Sequence, residues 1–161
     1  MAMRQIRKDG DPDLRKKAAP VARFSAPLHR LIEDMIETMQ ESNGVGLAAP
    51  QVGIAKRIIV VRHQDDIFEI INPEIAVSRG EVIDVEGCLS CPGAYGEVTR
   101  AAEVEVEGKD RDGNDIRVTG QDLLARILQH EIDHLEGILF LDRAIRLLDA
   151  EEIKKMNAND R

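Results

Sequence analysis

The pattern of the chain predicts an α+β fold. Two amphipathic helical runs, over residues 28–39 and 123–135, stand far apart, and the stretch between them is a series of short β-branched segments broken by turn residues. Many short strands with a few segregated helices point to α+β rather than to an alternating parallel architecture. At 161 residues, with 43% hydrophobic and 32% charged positions, the chain suits one globular domain, residues 1–161, with a proper core.

Residues 1–24 read as an irregular arm, with Asp11-Pro12-Asp13 as turn chemistry and Pro20 as a further breaker. Ser25 is the expected N-cap of the first helix, and Pro27 suits its first turn. Leu28, Leu31, Ile32, Met35, Ile36 and Met39 then recur at helical spacing until Asn43-Gly44 stops the run. This stripe is expected to dock on a sheet, with His29 on the polar side. Residues 57–62 and 67–72 read as strands, and His63 belongs to the turn between them. Residues 98–107 alternate in part, and Asp112-Gly113 marks a hairpin that returns through residues 116–118. Thr119 and Asp122 resemble a capping box for the second helix. Its apolar face is Leu123, Leu124, Ile127, Leu128 and Leu135, and Gly137 is placed as its C′ residue. A final helical stretch, about 142–156, carries Ile145, Leu147, Leu148 and Ile153.

Composition narrows the function classes. A net charge of −8 argues against a nucleic-acid-binding module, which usually shows a basic face. No apolar run has signal-peptide character or approaches the ~20 residues of a membrane span, and the early basic residues alternate with acidic ones, unlike a transit peptide. A cytoplasmic protein is the expectation. With only two cysteines, Cys88 and Cys91, a secreted disulfide framework is not expected. Aromatics are limited to Phe24, Phe68, Phe140 and Tyr95, so aliphatic side chains must fill the core.

The chemistry concentrates at His130-Glu131-Ile132-Asp133-His134. On a helix, positions i and i+4 share one face, so His130 and His134 can present two imidazoles to one metal ion. Glu131 points about 100° around the helix, where it can reach a water at that metal. The same pentapeptide also fits a helix with two solvated or hydrogen-bonded histidines. A catalytic metal generally takes three protein ligands and keeps a position open. One peptidase pattern would place the third six residues after His134, where Phe140 stands. Another would draw a Glu from a later helix, Glu151 or Glu152, in a charge-dense stretch that more often forms a solvated face. A thiolate from Cys88, after Gly87, suits zinc or iron beside two imidazoles. A closed structural site from both cysteines and both histidines is also chemically coherent, but leaves Glu131 without a role.

A further segment, Gly44-Val45-Gly46-Leu47-Ala48-Ala49-Pro50-Gln51, enters with Glu86-Gly87-Cys88-Leu89-Ser90 and with the stretch from Gln129 to Gly137. Together they resemble, in order, the three motifs of the peptide deformylases. Weaker likeness extends to Asp11-Pro12-Asp13-Leu14-Arg15, to Ile71-Asn72-Pro73 and to the C-terminal helix, so it spans nearly the whole chain. The resemblance implies an α+β fold with antiparallel or mixed sheets around a central helix that carries both histidines, and a C-terminal helix. It implies Cys88, His130 and His134 as metal ligands, Glu131 as catalytic acid/base, and Gln51 with the Leu89 backbone N–H as oxyanion donors. The implied activity is removal of the formyl group from N-terminal formyl-methionine of new polypeptides, with release of formate. The implied cofactor is one divalent ion, Fe2+ by family habit, although the same ligands can hold Zn2+, Ni2+ or Co2+.

Residue chemistry agrees with that reading. A formamide needs a nucleophile at neutral pH, and a bound metal lowers the pKa of water enough for metal-bound hydroxide to attack the formyl carbonyl. Glu131 can take the water's proton and later pass one to the leaving amine. Small residues at Val45-Gly46 would let a peptide lie alongside as a strand. Val45, Leu123 and Ile127 are candidate walls for a methionine pocket, and each also suits core packing. N-Formylmethionyl peptides are the expected partners, with transient ribosome association and neither nucleic-acid nor membrane binding. Cys91 either packs as a small hydrophobe or pairs oxidatively with Cys88 once metal is lost.

Overall fold

The computed structural model describes residues 2–159. Helix α1 (Ala26–Glu41) begins after Ser25, which is extended as an N-cap should be but makes no side-chain cap bond. Asn43 turns left-handed and the Gly44 N–H returns to the Met39 carbonyl, closing the helix where the sequence predicts. His29 stays outside the core, its Nε2–H donating to the Arg111 carbonyl at 2.8 Å.

A five-stranded sheet has the order β1-β2-β3-β6-β7, with β1 Gly46–Ala48, β2 Ile58–His63, β3 Asp66–Arg79, β6 Glu103–Lys109 and β7 Asp115–Gln121. A three-stranded sheet joins β4 (Val82–Cys88), β5 (Cys91–Arg100) and β8 (Arg146–Leu147). Every pairing of these strands is antiparallel. Helix α2 (Asp122–Leu135) packs against the large sheet, and a short α3 (Phe140–Arg143) and a terminal α4 (Ala150–Asn159) follow it.

The period of two along β2 shows how the layers are built. Ile58 and Val60 join the α1 stripe (Leu28, Leu31, Ile32, Met35, Met39) in one buried cluster. Their neighbours Ile59 and Val61 point the other way, into a cluster with Ala125, Ile127, Leu128, Ile132 and Leu135 of α2. The strand therefore reads as a continuous apolar run because both faces are covered. A third cluster of Leu14, Cys91, Val98, Leu139 and Phe140 ties the N-terminal arm and α3 to the small sheet.

Four local expectations need correction. The second strand does not stop at Asn72 but continues to Arg79 across a bulge, with register shifts after Ile71 and Ile75. Asn72 is left-handed there and its amide exchanges two hydrogen bonds with the Val21 backbone, while Pro73, lacking an N–H, is tolerated at the irregularity. The single strand read at 98–107 is the end of β5 and the start of β6, which belong to different sheets. Thr119 caps nothing: it pairs with Glu105 inside β7, and α2 starts from Gln121 without a side-chain cap. The helix expected over 142–156 is α3, then β8, then α4. Backbone bonds from Ile145 to Glu97 and from Leu148 to Tyr95 hold the middle as an edge strand, with Ile145 and Leu147 exposed.

Candidate metal centre

Helix α2 supplies the floor of the site. His130 and His134 lie on one face with ring centroids 5.1 Å apart. Cys88 arrives from the end of β4, where β4 and β5 turn through Leu89 and Ser90. Its Sγ lies 3.4 Å from His134 Nε2, and one donor atom from each of Cys88, His130 and His134 falls within 4.8 Å of the others. Tetrahedral bonds of about 2.0–2.3 Å place ligand atoms roughly 3.3–3.8 Å apart, so the cluster fits a single ion.

The surroundings orient these donors. His130 Nδ1 meets Glu86 Oε1 at 2.8 Å, which leaves Nε2 for the cluster, the usual carboxylate–histidine relay beside a metal. Gln51 is held by the Ala48 N–H, which donates to its Oε1 at 2.9 Å, and its Nε2 donates to Ser90 Oγ at 3.1 Å and toward Cys88 Sγ at 3.6 Å. The N-terminal arm fastens this corner from outside, through Arg7 N–H to the Gln51 carbonyl and Asp9 N–H to the Ser90 carbonyl.

Glu86 is the hub of a buried ion network. Arg100 donates to both its oxygens at 2.8 and 2.9 Å, and Arg126 donates to Oε2 at 2.6 Å. Arg100 also reaches Asp133, which Arg143 holds from the other side. Burial alone would raise the Glu86 carboxyl, but the Arg100 and His130 hydrogen bonds hold it well below the usual carboxylate range. Burial lowers His134 well below an ordinary imidazole, and the neighbouring His130 adds to this, so its ring is neutral and a lone pair is available to a metal. Contact with Cys91 and burial raise the Cys88 thiol; a coordinated ion would ionise it outright.

Glu131 differs from the other carboxylates. It is 4% exposed, and its Oε1 has no hydrogen-bond partner. Burial pushes its carboxyl up to about 7. It opens onto a cavity of about 520 Å³ lined also by Val45, Gly46, Cys88, Leu89 and Tyr95. A larger depression, about 620 Å³ among Glu74, Glu107, Lys109 and Arg117, lies on the sheet surface and contains none of these ligands. We assign the chemistry to the smaller cavity because it alone joins ligands, a perturbed acid and apolar walls.

Val45, Gly46, Cys88, Leu89 and Glu131 therefore meet in one cavity, with Gln51 bonded at its edge and both histidines beneath. Leu123 and Ile127 occupy the same helical face as His130, two turns and one turn earlier respectively. Ile127 is packed in the core, whereas Leu123 is 55% exposed and lines a groove with His63 and Thr119. Glu152 pairs with Arg146 instead of approaching the histidines, and the Phe140 ring stacks on His130 at 6.2 Å. Cys91 is not among the converging donors. The roles of Arg100 and Arg126 and the place of Tyr95 in the cavity wall lie outside the three motifs. An arginine between Ala125 and Ile127, inside an apolar stripe, was the one available signal.

Residues 3–150 match the family model described as polypeptide deformylase. The chain is 54% identical over 154 residues to the peptide deformylase of Caldanaerobacter subterraneus subsp. tengcongensis, covering 96% of this chain and 97% of that one. It is 52% identical to the peptide deformylase of Acetivibrio thermocellus over 161 residues, covering 100% and 95% of the two chains. The crystal structure of peptide deformylase from Thermotoga maritima superposes with a TM-score of 0.88 at 41% identity, covering 91% of this chain and 100% of that one. Motif order, site geometry and full-length likeness agree, and the chain belongs to the polypeptide deformylase family.

Proposed function

We propose that this chain hydrolyses the formyl group from the N-terminal formyl-methionine of new polypeptides and releases formate. The observation that carries the reading is the convergence of Cys88, His130 and His134 beside a buried, unpartnered Glu131. A divalent ion held by Cys88 Sγ and the two imidazoles would supply Lewis acidity and lower the pKa of water. We propose ferrous iron, which a mixed thiolate and imidazole set accommodates as it does zinc, nickel or cobalt.

The chain's own groups divide the remaining work. Glu131, raised to about 7, is poised to accept the proton of the attacking water and return one to the leaving amine. The Gln51 amide, fixed through Ala48 and Ser90, and the Leu89 N–H are the donors we assign to the carbonyl oxygen as charge gathers on it. Such donors are commonly worth ~3–4 kcal/mol each. Strand β1 is an edge strand, paired only with β2, so the Val45-Gly46 segment can take an extended peptide by strand addition. Val45, Leu89 and Tyr95 line the cavity and supply apolar surface for a methionine side chain, whereas Ile127, packed in the core, and Leu123, in a separate groove, do not line it.

No helix among the described residues is long and apolar enough to cross a membrane. A cytoplasmic location and transient contact with the ribosome follow from nascent chains as substrate, and both belong to this proposal. Formate release from a formyl-Met peptide, by protein loaded anaerobically with iron beside a zinc-loaded sample, tests it. A Glu131→Gln variant should keep its metal and lose most turnover; unchanged turnover would remove Glu131 from the mechanism. A noncatalytic closed site would hold metal and release no formate from either protein.

A further inference from the structure

Cys91 takes no part in the reaction above, yet it lies beside the one thiol that does. Cys88 and Cys91 are register partners across the turn that joins β4 to β5. Facing residues of an antiparallel pair stand about 4.5–5.5 Å apart at Cα, inside the ~4.4–6.8 Å that a disulfide requires. Cys91 is 4% exposed and packs with Leu14, Val98, Leu139 and Phe140, and Cys88 borders the same cluster. Both sulfur residues line the cavity that holds Glu131. An oxidant small enough to enter that cavity meets the half-buried Cys88, and the neighbouring sulfur is Cys91. The chain has no other cysteine.

We infer that Cys88 and Cys91 form a reversible oxidation site, with Cys91 the resolving thiol that converts peroxide damage at Cys88 into an intramolecular disulfide. Hydrogen peroxide breaks its O–O bond on the Cys88 sulfur, leaving a sulfenic acid and one water. The Cys91 sulfur then attacks that sulfur, the S–O bond breaks, and the hydroxyl leaves with the Cys91 proton as a second water. Two thiols and one peroxide thus give one disulfide and two waters. Without a resolving thiol, the sulfenic acid proceeds to sulfinic and sulfonic acids, which ordinary reductants do not reverse. A dithiol reduces the disulfide by exchange, returning both protein thiols and leaving itself oxidised. The disulfide withdraws Cys88 from the ligand set and releases the ion, a consequence that rests on the proposed metal site; the disulfide itself does not.

The test treats zinc-loaded protein, whose ion has no redox chemistry of its own, with hydrogen peroxide and follows intact mass, free thiols by alkylation, and metal released. The wild-type protein should lose two hydrogens and both free thiols and release its metal. Dithiothreitol should restore both thiols, and added metal should then rebind. Cys91→Ser should instead gain oxygen atoms at Cys88 that dithiothreitol does not remove. Cys91→Val, an apolar replacement suited to that cluster, should do the same and guards against a folding defect in the serine variant. Oxygen uptake by the wild-type protein with no disulfide, or equal dithiothreitol recovery in wild type and both variants, would overturn the inference. Formate release before treatment reports the activity separately, so an inactive protein that still forms the disulfide supports this site while refuting the proposed reaction.

Discussion

Replacing Glu131 with Gln should make the metal-free protein more stable at pH 8 relative to pH 4 by about 3 kcal/mol. The Glu131 carboxyl is raised from the usual 4.5 to about 7, chiefly by burial. Between those values the folded state binds a proton that the unfolded chain has already lost, so stability falls as pH rises through that window and levels off above it. At about 1.36 kcal/mol for each pH unit of difference, the loss reaches about 3 kcal/mol. Glutamine cannot ionise and escapes it, while its shape preserves the packing. Urea unfolding in a chelator at pH 4 and pH 8 reads this directly. With an m-value near ~2 kcal/mol/M, the gap between variant and wild-type midpoints should widen by roughly 1.5 M from the lower to the higher pH. Titrating groups that do not face Glu131, His134 among them, are common to both proteins and largely cancel in the comparison, whereas His130, which the Glu131 charge raises, loses that support in the variant. A gap that stays constant with pH would refute the buried-acid argument, and with it the poise near neutrality on which the proton-transfer role depends.

Other perturbations probe the surrounding framework. Gly46→Ala would place a Cβ 2.8 Å from Glu131 Cδ, displacing the carboxylate, and should lower turnover roughly 10–100-fold with metal content by atomic absorption unchanged. Arg126→Met removes donors to Glu86 at 2.6 Å, to the Val98 carbonyl at 3.0 Å and to the Val82 carbonyl at 2.8 Å. Breaking a buried pair in this way should cost about 3–5 kcal/mol in chemical unfolding, and competition with a chelator should show metal affinity down ~10–100-fold as Glu86, which orients His130, is left to Arg100 alone. Phe140→Ala, at a side chain 1% exposed and stacked on His130, should destabilise by ~3–5 kcal/mol in the same assay.

The helices were legible because their signals are local. The α1 stripe and its Asn43-Gly44 stop stand where the spacing puts them, and Gly137 closes α2 as the C′ residue with φ 74°. Strand β4 was not legible. Its Val82, Ile83 and Val85 alternate weakly beside charged neighbours, and the strand is held by pairing with β5 alone. The C-terminal stretch misled for a related reason. Its apolar residues match a helical period, but β5 offers Ile145 and Leu148 carbonyl partners that a local pattern cannot register. Leu123 fits the apolar spacing of α2 and still faces solvent, since periodicity names a face without saying where the covering layer ends.

The same division runs through the site. By itself the sequence determined that His130 and His134 share a helical face, because a period of 3.6 residues requires it, and that a cysteine, a glutamine and a glutamate of suitable chemistry lie in recognisable motifs. Only the tertiary structure decided that Cys88, 46 residues from His134 in the chain, comes within 3.4 Å of it. The fold likewise seats Glu86 on His130 with two arginines holding it, and leaves Glu131 buried without a partner. Strand register and the packing of a helix between two sheets are nonlocal. They convert residue types into distances, and the removal of water around Glu131 turns an ordinary carboxyl into an acid poised near neutrality.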